Sequence, residues 1–231
     1  EYKNVYSEVR KDFRESYIGE DGDLLPEYRK QTGYLLALHT DMFNDNEIKS
    51  AADALERKII ENGYKLSTGF VGTAILCKTL AKFGKNNIAY SLLLQTEDPS
   101  WLYSVHQGAT TIWERWNSYT LETGFGNVGM NSFNHYAYGA CAAWFYRDIL
   151  GVKPTSPAYK TFEICPIPSR QLGFAKARIE TRSGVILSEW TYVDGGVRYS
   201  FTIPARTTAE VTIDGVTRSY TEGTYTVWGK E

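Results

Sequence analysis

The residues Gly108 to Trp116, GATTIWERW, combine side chains that sugar chemistry uses. Glu114 stands between two indoles, Trp113 and Trp116, with Arg115 beside it. A carboxylate can take a proton from water or hand one to a leaving oxygen, and large aromatic faces suit the apolar face of a pyranose. In an ordinary helix such a glutamate reads as a surface residue paired with a neighbouring base. Here it lies in a long connection, and exposed indoles on a loop are costly unless they bind something. A second block, Asn131-Ser-Phe-Asn-His-Tyr136, holds His135. That imidazole reads either as a structural donor near a helix start or as a partner for a substrate hydroxyl. Asn131 and Asn134 read as caps or turn formers. Trp101, after Asp98-Pro99-Ser100, fits a sugar platform and a core anchor equally well.

Other chemistries find little support. Thr68-Gly69-Phe70-Val71-Gly72 permits close backbone approach but matches neither GxxxxGK[ST] nor GxGxxG. There is no GxSxG elbow. His39, His106 and His135 show no metal-ligand spacing, so no metal is expected. Cys77, Cys141 and Cys165 do not make a disulfide framework and read as buried thiols. Charge is nearly balanced, 25 basic against 27 acidic residues, which argues against nucleic acid or an anionic membrane as the main partner. No stretch approaches the ~20 apolar residues of a membrane span, and no signal-peptide pattern opens the chain. It starts instead on an amphipathic helical pattern without a Met, as if the numbering began inside a longer protein. Periplasmic, extracellular and cytoplasmic locations all stay open.

The elements that must position these residues change character once along the 231 residues. Up to about residue 150 the period is helical. Tyr2, Val5, Tyr6, Val9 and Phe13 form one stripe. A second helix is expected from near Pro26, with Tyr34, Leu35, Leu38 and Met42 on one face. Asn44 with Glu47 three residues on is a capping-box pattern before a third, which Gly63 stops. A fourth is expected over about 71–83, a fifth over 87–95, and a sixth from about Asn131 to Leu150. Short connections imply antiparallel neighbours. From Thr96 to Met130 no long helical pattern appears, and a loop region of that length is usually functional. After Gly151, prolines punctuate a linker over 153–164. The period then becomes two, as in Val197, Tyr199, Phe201 and Ile203, with hairpin signals at Asp194-Gly195-Gly196 and Asp214-Gly215. A small antiparallel β-sandwich is expected over 165–231, so the chain reads as an α+β protein of two segregated units.

Taken together, GATTIWERW, the block MNSFNHYAYGA over 130–140, Ser67-Thr-Gly-Phe70 with Gly72-Thr73, and Asp98-Pro-Ser-Trp-Leu-Tyr103 resemble the catalytic domain of bacterial α-L-rhamnosidases, glycoside hydrolase family 78. The resemblance covers about 25–150, and the trailing sandwich is similar to the C-terminal β domain of those enzymes. It implies that residues 1–152 are the C-terminal half of an (α/α)6 barrel built of antiparallel helical hairpins. It also implies an inverting hydrolysis of terminal α-L-rhamnose without a cofactor. The glutamate of the WERW block is then the general base, Glu114, and the histidine of the NHY block, His135, contacts the sugar. Trp113 and Trp116 help wall the pocket. The family usually follows WERW with Asp, where this chain has Asn117. Its general acid lies in an upstream Asp- and Arg-rich block that has no counterpart in this chain.

Two further expectations follow from the resemblance. Without the acid, the chain alone has negligible activity, its partner being the missing N-terminal part of the same enzyme. A half-barrel also exposes apolar walls, so self-association is expected. The competing readings are a non-catalytic carbohydrate-binding protein, in which Glu114 is only a hydrogen-bond acceptor, and a structural interaction domain that binds no sugar.

Overall fold

The computed structural model describes residues 1–230. Contacts divide the chain into two units, Glu1–Cys141 and Ala142–Glu231. The first holds the helices α1 (Tyr2–Tyr17), α2 (Gln31–His39), α3 (Asp45–Glu61), α4 (Phe70–Lys82), α5 (Asn86–Leu93) and α6 (Trp101–His106). Its core is made by α2, α3 and α4, through Leu35, Leu38, Leu55, Ile59, Leu76 and Leu80. The capping box forms as expected at α3: the Glu47 carboxylate accepts from the Asn44 N–H at 2.7 Å. Among the described residues these helices do not close a ring.

Three helical expectations change. The stretch from Pro26 is a 3-10 turn, Pro26–Tyr28, and α2 begins only after an extended Lys30. Gly33 lets α2 sit directly against the Tyr28 carbonyl, where a Cβ would overlap it. The expected sixth helix is broken. Asn131–Tyr136 is irregular, followed by a 3-10 turn over Ala137–Cys141, then the single turn α7 (Ala142–Trp144) and a π turn over Phe145–Ile149. The backbone groups of its first residues are committed elsewhere, since Glu114 N–H donates to Ser132 O (2.9 Å) and His135 N–H to Ile112 O (2.8 Å). Finally, α1 is a helix, yet none of its residues is buried. Tyr2, Val5, Tyr6 and Val9 are all exposed. Its tie to the other helices is polar: Arg14 forks onto Glu47 at 2.7 and 2.9 Å, and Arg10 donates to Asp41 O and Phe43 O.

In the second unit, two four-stranded sheets enclose one core. Strands β3 (Val152–Pro154), β4 (Thr161–Ile164), β8 (Thr208–Ile213) and β9 (Val216–Tyr220) form one sheet in the order β3-β4-β8-β9. Strands β5 (Phe174–Thr181), β6 (Gly184–Val193), β7 (Gly196–Ile203) and β10 (Gly223–Gly229) form the other in the order β10-β7-β6-β5. Phe162, Ile164, Ala209 and Val211 from the first sheet meet Ile186, Phe201 and Ile203 from the second. The stretch expected as a linker over 153–164 therefore carries strands, with Val152 opposite Ile164. One pair, β4 with β8, is parallel rather than antiparallel. Alternation marks a strand but not the direction of its neighbour. Both expected hairpin turns form; at the second, Asp214 and Gly215 take φ of 51° and 75°, the left-handed pair that a two-residue turn requires.

Candidate active site

Two short strands, β1 (Tyr119–Thr120) and β2 (Gly124–Phe125), make the only regular structure in the connection between α6 and the turn at Ala137–Cys141 among the described residues. The site is instead built by irregular backbone pairing. Segment 112–114 runs beside 132–135, joined by His135 N–H to Ile112 O and by Glu114 N–H to Ser132 O. The Thr111 hydroxyl donates to Phe133 O on the same side. This pairing brings the WERW and NHY blocks together.

Glu114 is half-buried. Its Oε2 accepts from the Ser132 backbone N–H at 2.8 Å, so one carboxylate oxygen is fixed by a donor that does not itself titrate. Among the described residues, the other oxygen accepts no hydrogen bond. The Tyr138 hydroxyl is held above the ordinary tyrosine range, first by burial and then by the negative charge of Glu114. His135 lies flat against Phe70, the first residue of α4, with ring centroids 4.6 Å apart and planes 26° apart. Its Nδ1 accepts from the Ala137 N–H at 3.4 Å. For a neutral ring this assigns the proton to Nε2, which leaves that atom as the donor.

The indoles differ from the expectation of open faces. Trp113 is 6% exposed, edge-on to Phe133 (5.3 Å) and Tyr119 (6.4 Å), so it is a packing ring. Trp116 is half-buried and stacks on Tyr138 at 3.9 Å and 10°. Trp101 resolves as a core anchor: it is 8% exposed, its Nε1–H donates to Tyr138 O at 2.9 Å, and its ring meets Trp116 edge-on. Asn117 is exposed. Ser132, Phe70 and Tyr138 are the site residues that pattern reasoning did not single out. Ser132 acts through its backbone, which no side-chain motif reveals, whereas Phe70 and Tyr138 lie inside blocks already marked. Among the described residues no group of three or more His, Cys, Asp or Glu could hold a metal. No helix among them is long and apolar enough to cross a membrane.

Comparison with known proteins divides the chain near residue 150. Residues 1–149 match the model of the bacterial alpha-L-rhamnosidase 6 hairpin glycosidase domain, and residues 151–227 that of the bacterial alpha-L-rhamnosidase C-terminal domain. An alpha-L-rhamnosidase of Alteromonas sp. is 43% identical over 209 residues, which is 90% of this chain and 23% of that protein. One from Formosa agariphila is 40% identical, covering 92% of this chain and again 23% of the relative. The chain thus spans less than a quarter of the length of these curated relatives. Among solved structures, the native enzyme of Aspergillus terreus superimposes with a TM-score of 0.90 at 35% identity, over 99% of this chain and 27% of that one. The Streptomyces avermitilis alpha-L-rhamnosidase complexed with L-rhamnose gives 0.89 at 34% identity, over 98% of this chain and 24% of that one.

Proposed function

The chain belongs to the bacterial α-L-rhamnosidase family, and on that premise we propose that it is part of an inverting glycoside hydrolase that removes terminal α-L-rhamnose from a rhamnose-containing carbohydrate. Glu114 is the general base. The observation that carries this reading is the asymmetry of its carboxylate: Oε2 is held by the Ser132 N–H while Oε1 stays available for a water proton. In an inverting reaction the base activates water on the face opposite the leaving oxygen, with the two carboxyl groups ~6.5–9.5 Å apart. The second carboxyl, the general acid, belongs to the part of the protein that precedes this chain.

His135 supplies Nε2–H to a hydroxyl of the sugar, its ring plane fixed by Phe70. Trp116, stacked on Tyr138, walls the pocket, and Trp113 packs on Phe133 and Tyr119 beneath the loop that carries Glu114. The chain by itself lacks the acid, so it has negligible turnover. Its exposed α1 stripe of Tyr2, Val5, Tyr6 and Val9 supports self-association when the rest of the protein is missing.

The test uses the full-length enzyme with Glu114→Gln. The amide keeps an oxygen for the Ser132 N–H but cannot take a proton. General-base loss predicts a fall in kcat of ~10²–10⁴-fold, with L-rhamnose binding retained and the wild-type product released first as the β anomer. A Glu114→Gln enzyme with wild-type kcat, or initial release of the α anomer, refutes the assignment.

A further inference from the structure

The segment after Glu114 has an unusual construction. From Asn117 to Met130 it leaves the helical core and exposes its apolar side chains: Leu121 is 71% exposed, Phe125 75%, Val128 97% and Met130 68%. Its two strands are two residues long each. A segment so poor in buried apolar surface is expected to open easily. Yet its far end delivers Ser132, whose N–H must meet the Glu114 carboxylate.

What fixes the base of this excursion is a polar knot around Ser118, which is fully buried. The Ser118 carbonyl accepts from the Gly126 N–H at 2.9 Å and from the Asn131 side-chain amide at 3.3 Å. Its hydroxyl accepts from the Arg115 N–H at 3.2 Å, and its own N–H donates to Arg115 O at 3.3 Å. The Arg115 guanidinium reaches across to Asn127 O at 2.8 Å. Gly126 lies so close that a Cβ there would stand 3.3 Å from Ser118 O and 3.4 Å from the guanidinium. Arg115 directly follows Glu114, and Asn131 directly precedes Ser132, so the knot ties together the two chain points that flank the carboxylate's hydrogen bond.

Two further observations set this knot apart from ordinary packing. Arg115 Nε and Asn131 Oδ1 are buried without a protein hydrogen-bond partner among the described residues. Apolar side chains of similar size would fill the same space without that cost. Met130, a non-glycine residue, takes a φ of 49° immediately before Asn131, a left-handed conformation that persists only where its surroundings hold it. Charge from the guanidinium is directed at the Asn127 carbonyl rather than at the carboxylate. Burial first, and then the charge of Glu114, hold the Tyr138 hydroxyl up on the turn at Ala137–Cys141.

We propose that Arg115 and Asn131 are positioning residues for the hydrolysis: by knotting the 117–131 excursion at Ser118, they aim the Ser132 N–H and so hold Glu114 in its working orientation. Neither touches the sugar. The proposal rests on the reading of Glu114 as the general base, and its effect is therefore on the chemical step rather than on sugar affinity.

The test compares Asn131→Ala, Asn131→Asp and Arg115→Lys with wild type and Glu114→Gln, all in the full-length enzyme. Asn131→Asp keeps the shape of the residue and removes the amide donor. Arg115→Lys keeps the charge and one donor and so guards against a variant that fails only by unfolding. Melting curves accompany each kcat, and activity is referred to the folded fraction. The expected result is a kcat lower by ~10–100-fold for both Asn131 variants, because small misplacement of a reacting group costs rate on this scale. Arg115→Lys is expected to lie between these and wild type. KM and the Kd for L-rhamnose should stay within about twofold of wild type, the signature of an interaction that serves the transition state. An Asn131→Asp enzyme as active as wild type overturns the proposal, and so does a rhamnose Kd that weakens in step with kcat. A fully active Glu114→Gln enzyme sinks the base assignment and this inference with it. An inactive Glu114→Gln beside unaffected Asn131 and Arg115 variants sinks the positioning role alone.

Discussion

Replacing Trp113 by alanine separates a ring that packs from a ring that binds. Trp113 is 6% exposed and meets Phe133 and Tyr119 edge-on at 5.3 and 6.4 Å. Truncating a buried tryptophan costs about 3–5 kcal/mol, part of it the transfer of apolar area and part the cavity left behind. The two edge-to-face contacts account for about 0.5–1.5 kcal/mol each. Phe133 and Tyr119 are themselves half-buried and can lean into the space, which puts the expectation at the lower end, about 3 kcal/mol. At about 2–4 °C per kcal/mol for a unit of this size, the melting transition of the helical unit should fall by about 6–12 °C. Scanning calorimetry of the chain measures it, and Trp113→Phe should lose less than Trp113→Ala. A midpoint that moves by less than about 2 °C would mean that Trp113 is not a packing ring and would return it to the role of an open sugar wall.

Other perturbations act elsewhere in the molecule. The Arg14 guanidinium, ahead of the Asn44 cap, holds the Glu47 carboxyl below its ordinary value. A depressed carboxylate contributes stability above its unfolded pKa and loses it as pH falls through the folded one. Acid titration of stability should therefore show a loss on the acid side of the usual glutamate range, and Arg14→Met should shrink it. In the sheet unit, burial pushes the Tyr199 hydroxyl up to about 12. That contribution is fully present below the unfolded tyrosine value of ~10 and is lost as pH rises through the folded value, so Tyr199→Phe should flatten alkaline destabilisation between them. Gly151→Ala should abolish folding of the sheet unit, as seen by loss of its melting transition. Its φ is 73°, and a Cβ there would overlap the backbone of Cys165 and Pro166.

Local periodicity was enough to place α3 with its capping box, α4, α5 and the hairpins at Asp194-Gly195 and Asp214-Gly215, because each of these is fixed by residues near one another in the chain. The same was true of the blocks that carry Glu114 and His135 and of the family to which they belong, since motif spacing is a property of the sequence. Pattern alone could not foresee that residues 131–136 abandon the helix their spacing suggests. Their backbone hydrogen bonds go to Ile112 and Glu114, partners about twenty residues away. Nor does the stripe on α1 reveal whether a helix will be covered, because burial belongs to what stands beside it. Tertiary structure also decided that Trp113 packs while Trp116 stacks on Tyr138, although both indoles carry the same composition signal. It decided as well that a serine backbone N–H, invisible to any side-chain motif, is the group that holds the carboxylate. Side-chain type and spacing determine which chemistry is available. Contacts distant in sequence determine which atom of the chain faces it, because orientation at a site is set by non-local hydrogen bonds and packing that no window along the chain contains.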